Sequence, residues 1–153
     1  MPKKKRTDDG ILKLETNIDD STGEALGYVM ELLLEAGAKD VFYEPIYMKK
    51  NRPAWLLSVI CEEATAEQME RIIFQNTTTI GIRHLKMQRT VMERRMDMVS
   101  TTLGKVRVKE CHYENITKRY PEYDDIRQIC RQRDIGFSDA YARIRSEIQI
   151  EEE

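Results

Sequence analysis

The spacing of apolar residues alternates between strand-like and helix-like periods over the first ninety positions. Ile11, Leu12, Leu14 and Ile18 mix with polar residues over Ile11 to Ile18, a strand pattern that ends at the acidic pair Asp19-Asp20. Leu26, Val29, Leu32, Leu33 and Ala36 then recur at helical intervals. Ser21 and Glu24 precede them at capping-box spacing, and Gly37 supplies a stop. Val41 to Met48 reads as a strand in which Pro45, having no N–H for the ladder, requires an edge position or a bulge. The nearly apolar run Trp55 to Cys61 fits a central strand. Thr65 and Gln68 open a second capped helix with Met69, Ile72 and Ile73 inward, and Gly81 to Arg89 is a fourth strand.

This order predicts an α+β class with a ferredoxin-like βαββαβ subdomain over residues 11–90, two helices covering one face of a four-stranded antiparallel sheet. A smaller α/β subdomain over 91–150 follows. In it Met92 to Ser100 and Val106 to Cys111 form a β-hairpin around a Leu103-Gly104 turn. Two helices complete it. The first has Pro121 in its first turn, acidic Glu122, Asp124 and Asp125 next, Ile126, Ile129 and Cys130 inward and Gly136 as the stop; the second is capped by Ser138 and carries Tyr141, Ile144 and Ile148. Residues 1–10 read as a disordered leader despite the import-signal-like run Lys3-Lys4-Lys5-Arg6, and Glu151-Glu152-Glu153 as a frayed end.

Composition narrows the partners. Charged residues make up 34% of the chain, yet 25 basic and 27 acidic side chains nearly cancel to a net −2. No global field draws it to nucleic acid or an anionic membrane, so any anion site is local. No apolar run reaches membrane-spanning length and the start has no secretory stretch, which predicts a cytoplasmic protein. Cys61, Cys111 and Cys130 are odd in number and lack CxxC spacing, so reduced, mostly buried thiols are expected.

Four polar clusters could carry chemistry. Asp19 and Asp20, on a strand-to-helix turn, offer oxygen ligands to Mg²⁺ or Mn²⁺, or else cap the helix. Lys49, Lys50, Asn51 and Arg52, stiffened by Pro53, suit a triphosphate, or form a solvated loop. Thr77, Thr78 and Thr79 before Gly81 allow a close backbone approach to a ligand, or simply end a helix. Asn115 to Asp125 is a basic turn running into an acidic helix start. P-loop, dinucleotide-binding and HExxH motifs are absent, and His84, in a strand, reads as a surface or satisfied histidine rather than a metal ligand.

Taken together, ETNIDD (Glu15 to Asp20), MKKNRP (Met48 to Pro53), TTTIGIR (Thr77 to Arg83) and PEYDD (Pro121 to Asp125) closely resemble the C-terminal domain of LarC-type nickel-insertion proteins over about Ile11 to Ile148. The resemblance implies a CTP-dependent nickel chelatase, a lyase acting on pyridinium-bisthiocarboxylic acid mononucleotide to load nickel into the nickel-pincer nucleotide cofactor. CTP and Mn²⁺ or Mg²⁺ are the implied cofactors, with CTP bound by this portion. The family's longer N-terminal domain, missing from this sequence, is an implied partner, as is a homo-oligomer. Carried onto this chain, Lys49, Lys50, Arg52 and Arg83 neutralise phosphates, with Lys118 and Arg89 as further cations. Asn17, Asn51, Thr78, Thr79 and Asn115 supply neutral hydrogen bonds, and Asp19 and Asp20 hold the metal. Catalytic residues and nickel ligands are not singled out. A CTP-sensing module and a structural oligomerisation domain are the competing readings.

Overall fold

In the computed structural model, which describes residues 7 to 149 with side chains from residue 10 onward, alternation along β1 (Thr7–Ile18) turns Leu12, Leu14, Thr16 and Ile18 to one face. β1 pairs antiparallel with β3 (Arg52–Glu62) on one side and β4 (Arg83–Arg89) on the other, and β2 (Asp40–Met48) adds to β3, giving the order β2-β3-β1-β4. With α1 (Gly23–Glu35) and α2 (Ala66–Asn76) between strands, this is the expected ferredoxin-like arrangement. Leu12, Leu14 and Ile18 meet Leu57, Val59 and Cys61 of β3, Leu26, Val29 and Leu33 of α1, and Met69 and Ile73 of α2 in one buried core.

Local chemistry sets the boundaries. β2 has a single partner, so Pro45, opposite Trp55, sits on the edge strand where a missing N–H is tolerated. At the end of α1, Gly37 takes φ 94°, and the N–H groups of Gly37 and Ala38 reach back to the carbonyls of Leu34 and Leu33. The caps differ from expectation. Thr22, not Ser21, caps α1, its Oγ1 accepting from the Ala25 N–H at 3.2 Å. A short 3₁₀ turn at Glu63–Thr65 precedes α2, so the Thr65 hydroxyl donates to the Glu62 carbonyl instead of capping. Thr7 to Gly10, expected in a leader, continue β1 across a register shift at Gly10; the basic run at 3–6 and the acidic run at 151–153 lie outside the described residues.

The chain divides at Thr90 and Val91 into two compact units. In the second, the expected hairpin is a three-stranded sheet: β5 (Glu93–Thr101), β6 (Gly104–Tyr113) and β7 (Ile116–Pro121), in that order. The segment read as a basic turn is therefore a strand, and Pro121 closes it rather than opening a helix. Its charge density hides the pattern because ion pairs, not apolar contacts, anchor it: Arg119 binds Glu110 across the β6–β7 pair. α3 (Tyr123–Arg133) ends at left-handed Asp134, ahead of Gly136, and α4 (Phe137–Gln149) starts at Phe137, which places Ser138 inside its first turn. Val106, Val108, Ile126, Ile129, Ile144 and Ile148 form the core. No helix among the described residues is long and apolar enough to cross a membrane.

Two outcomes follow from this packing. Leu57 is fully buried, so Leu57→Ala costs about 2–5 kcal/mol by denaturant unfolding. In the second unit, Asp125 accepts from the Arg107 backbone N–H and Nη2, both at 2.7 Å, and the Arg107 side chain holds its carboxyl below the ordinary carboxylate range. A depressed folded-state value means the stabilisation is present above the ordinary value and is lost as pH falls through the lowered one. Thermal melting from neutral pH into the acid range therefore shows a flatter acid-side decline for Asp125→Asn than for the parent chain.

Candidate functional site

The antiparallel register brings three connections to one end of the first sheet. Ile18 pairs with Trp55, Met48 with Arg52 and Glu15 with Arg83, so the acidic turn after β1, the β2–β3 turn and the α2–β4 connection emerge side by side. Their side chains interlock. Arg52 Nη1 lies 3.4 Å from Asp19 Oδ2, the Thr78 hydroxyl donates to Asp20 Oδ1, and Arg83 Nη2 donates to Asn17 Oδ1 at 2.7 Å. Arg83 Nε also lies 3.6 Å from Glu15. Between the first two connections opens a cleft of about 470 Å³ lined by Asn17, Asp19, Met48, Lys49, Lys50 and Arg52.

The β2–β3 turn is tight. Lys50 (φ 62°) and Asn51 (φ 56°) are both left-handed, a conformation that costs an L-residue roughly 1–2 kcal/mol and is mildest for asparagine. Lys49 and Lys50 are exposed, and among the described residues neither has an ion-pair partner within 4 Å. Two uncompensated cations on a strained turn next to a cleft favour an anionic occupant. Asp19 and Asp20 add hard oxygen donors at the same place. Among the described residues no group of three or more His, Cys, Asp or Glu is placed to hold a metal ion.

Thr16 is a positioning residue that the sequence reading missed. Only 1% exposed, it puts Oγ1 2.5 Å from Thr79 Oγ1 and donates to the Gly81 carbonyl at 2.8 Å. This pins the α2–β4 connection, with Thr78 and Arg83 on either side, against β1. The available signal was its place as the one hydroxyl among the inward positions Leu12, Leu14, Thr16 and Ile18.

Other expected residues lie elsewhere. Arg89 is at the far end of β4, opposite Thr7 and about 20 Å along the strand from Arg83, so its own cleft is out of reach. Lys118 is on β7 and Asn115 in the β6–β7 turn, both in the second unit. His84 Nε2 sits 3.0 Å from Glu70 Oε1, an ion-pair geometry at the surface of the first unit.

With this geometry described, comparison with known proteins adds the relationship. The family model described as nickel insertion protein matches residues 1–141. The chain belongs to that family. It is 58% identical over 131 residues to the pyridinium-3,5-bisthiocarboxylic acid mononucleotide nickel insertion protein of Alkaliphilus metalliredigens, covering 86% of this chain and 31% of that protein. The protein of the same description from Lactiplantibacillus plantarum is 46% identical over 149 residues, 97% of this chain and 36% of its own length. The chain thus spans about a third of these relatives. Among solved structures, one described as LarC2, the C-terminal domain of a cyclometallase involved in the synthesis of the NPN cofactor of lactate racemase, apo form, matches with a TM-score of 0.85 and 45% identity, covering 91% of this chain and 96% of that one. The chain therefore corresponds to the C-terminal domain of a LarC-type nickel-insertion protein. Protein MK0293 from Methanopyrus kandleri, at TM-score 0.64 and 24% identity, shares the fold.

Thr16→Val retains the side chain's shape and removes its hydroxyl. We expect a loss of about 1–2 kcal/mol in denaturant unfolding, with faster amide exchange at Thr79 and Gly81; an unchanged midpoint and exchange pattern would show that the connection holds itself.

Proposed function

We propose that this domain binds CTP together with Mn²⁺ or Mg²⁺ in the cleft at the end of the first sheet. In this reading it serves a CTP-dependent nickel chelatase, a lyase that loads nickel into the nickel-pincer nucleotide cofactor. Pyridinium-bisthiocarboxylic acid mononucleotide is the substrate that accepts nickel, and the longer N-terminal domain of the family and further copies of this chain are its partners. The carrying observation is the pair of uncompensated cations, Lys49 and Lys50, facing a cleft whose other wall carries Asp19. Three free thiols suit a cytoplasmic setting.

The residues present fit a metal-chelated triphosphate. Lys49 and Lys50 act as point charges on phosphate oxygens, while the Arg52 guanidinium can grip two at once. Its pair with Asp19, at 3.4 Å and largely exposed, is weak enough to exchange for a phosphate. Asp19 and Asp20 provide one or two carboxylate ligands, the number Mg²⁺ commonly takes alongside phosphates and water. A bound divalent cation would neutralise charge developing on the phosphates. Arg83, held by Asn17 and Glu15, and Thr78 and Thr79, held through Asp20 and Thr16, form a second rank of donors. Asn17 uses its oxygen on Arg83, so its amide N–H groups remain for the ribose or base, with Asn51 as a further donor in the β2–β3 turn.

The test is a titration of the chain with CTP, UTP, ATP and GTP, with and without Mn²⁺. CTP is expected to bind most tightly and more tightly with Mn²⁺. Lys49→Ala with Arg52→Ala should weaken CTP by about 10- to 100-fold, and Asp19→Asn should remove the metal-dependent gain while circular dichroism stays unchanged. Parent-like affinity in both variants overturns the assignment. CTP that is bound but recovered intact from the full-length protein with its substrate indicates a sensor, and no nucleotide binding indicates a structural oligomerisation domain.

A further inference from the structure

Glu110 is a charged side chain that the proposed nucleotide site does not use, and it is only 2% exposed. Burying a carboxylate is costly unless it is fully bonded. Here Arg119 Nε donates to its Oε2, and its Oε1 lies 2.6 Å from Arg95 Nη2 and 2.5 Å from His112 Nε2. Those contacts, the Arg119 hydrogen bond foremost, hold the carboxyl below its ordinary range, so it stays charged. The network then reaches outward. His112 Nδ1 is 3.0 Å from the Thr117 hydroxyl, and Arg119 Nη1 donates to the Ile148 carbonyl at 3.1 Å, tying β7 to the end of α4.

Thr117 and Arg119 so fixed form part of the wall of a cleft of about 460 Å³, completed by Lys118, Tyr120, Arg145 and Gln149. Arg145 and Gln149, four residues apart on α4, project from one helix face toward β7. Among the described residues no carboxylate lines the cleft. Arg95 and Arg119 are matched by Glu110 and Asp97, which leaves Lys118 and Arg145 as its uncompensated charge; among the described residues neither has an ion-pair partner. Two cations, two hydroxyls and an amide around a polar cavity match the oxygens of a phosphoryl group, and an apolar ligand would find little to contact.

We propose that the second unit carries its own anion site, the β7–α4 cleft, which takes a phosphate or diphosphate group. The role of Glu110 is to position Arg119 and, through His112, Thr117. The group is either inorganic diphosphate or the phosphate arm of a nucleotide. This proposal stands whether or not the first unit binds CTP.

The experiment is calorimetry with inorganic pyrophosphate, free of divalent metal, on the full chain carrying Lys49→Ala and Arg52→Ala, which removes the cations of the first cleft. Pyrophosphate should still bind that background, and adding Lys118→Ala and Arg145→Ala should weaken it by about 10- to 100-fold. Both added positions are exposed, so melting should be unchanged. A parallel titration with CTP separates the sources: a loss for CTP alone, with pyrophosphate failing to bind, assigns the site to a nucleotide's phosphates. No binding of either anion to the background, or parent-like affinity after Lys118→Ala and Arg145→Ala, overturns the proposal. So does an acidic peptide that binds where neither anion does, since that marks a protein partner adding to the β7 edge.

Discussion

Antiparallel pairing of β1 with β3 and β4 at once is the constraint on which the candidate site depends. It fixes the end of β1 between two other connections, so Asn17, Asp19 and Asp20 each face a different neighbour: Arg83, Arg52 and Thr78. The polar contacts do not hold the sheet together, because exposed pairs of this kind contribute at most about 1 kcal/mol. Burial of Leu14, Leu57, Val59, Leu26 and Met69 does, at about 1.5–3 kcal/mol for each large side chain. The apolar core therefore sets the geometry, and the charges stay free to exchange partners when a ligand arrives.

The two units solve the same problem differently. In the first, the central strands present apolar faces to the helices, interrupted on β1 by Thr16, whose buried hydroxyl latch to Thr79 and Gly81 serves the connection beside the cleft. In the second, the inward face of β6 runs Val106, Val108, Glu110, so apolar packing gives way to an ion network at one end of the strand. A buried charge with several bonded partners is poor value for stability but fixes geometry, since any shift leaves it unpaired. One of its partners, Arg119, belongs to the β7–α4 cleft wall.

A net charge of −2 conceals this arrangement. Some cations are answered by carboxylates nearby, as Arg107 is by Asp125 and Lys109 by Glu122, whereas each of the two clefts keeps a pair without one among the described residues: Lys49 and Lys50 in one unit, Lys118 and Arg145 in the other. Local surplus in a near-neutral chain suits selective anion binding better than a uniformly basic surface, which would attract polyanions indiscriminately.

Residue order alone determined the elements of the first unit, an edge or bulged position at Pro45 and the stop at Gly37, because burial period, a missing N–H and a left-handed φ are local properties. It also singled out Lys49, Arg52, Asp19 and Thr78 by type, and the four motifs in order identified the family. It failed at β7, whose alternation is written in charges that only the opposite strand neutralises, and at the caps of α1 and α2, which a one-residue shift or a 3₁₀ turn displaces. Tertiary structure alone decided which of the chosen residues meet. Cross-strand register put Asn17 against Arg83 and carried Arg89 to the opposite end of β4, and no pattern along one strand contains the register of its neighbour.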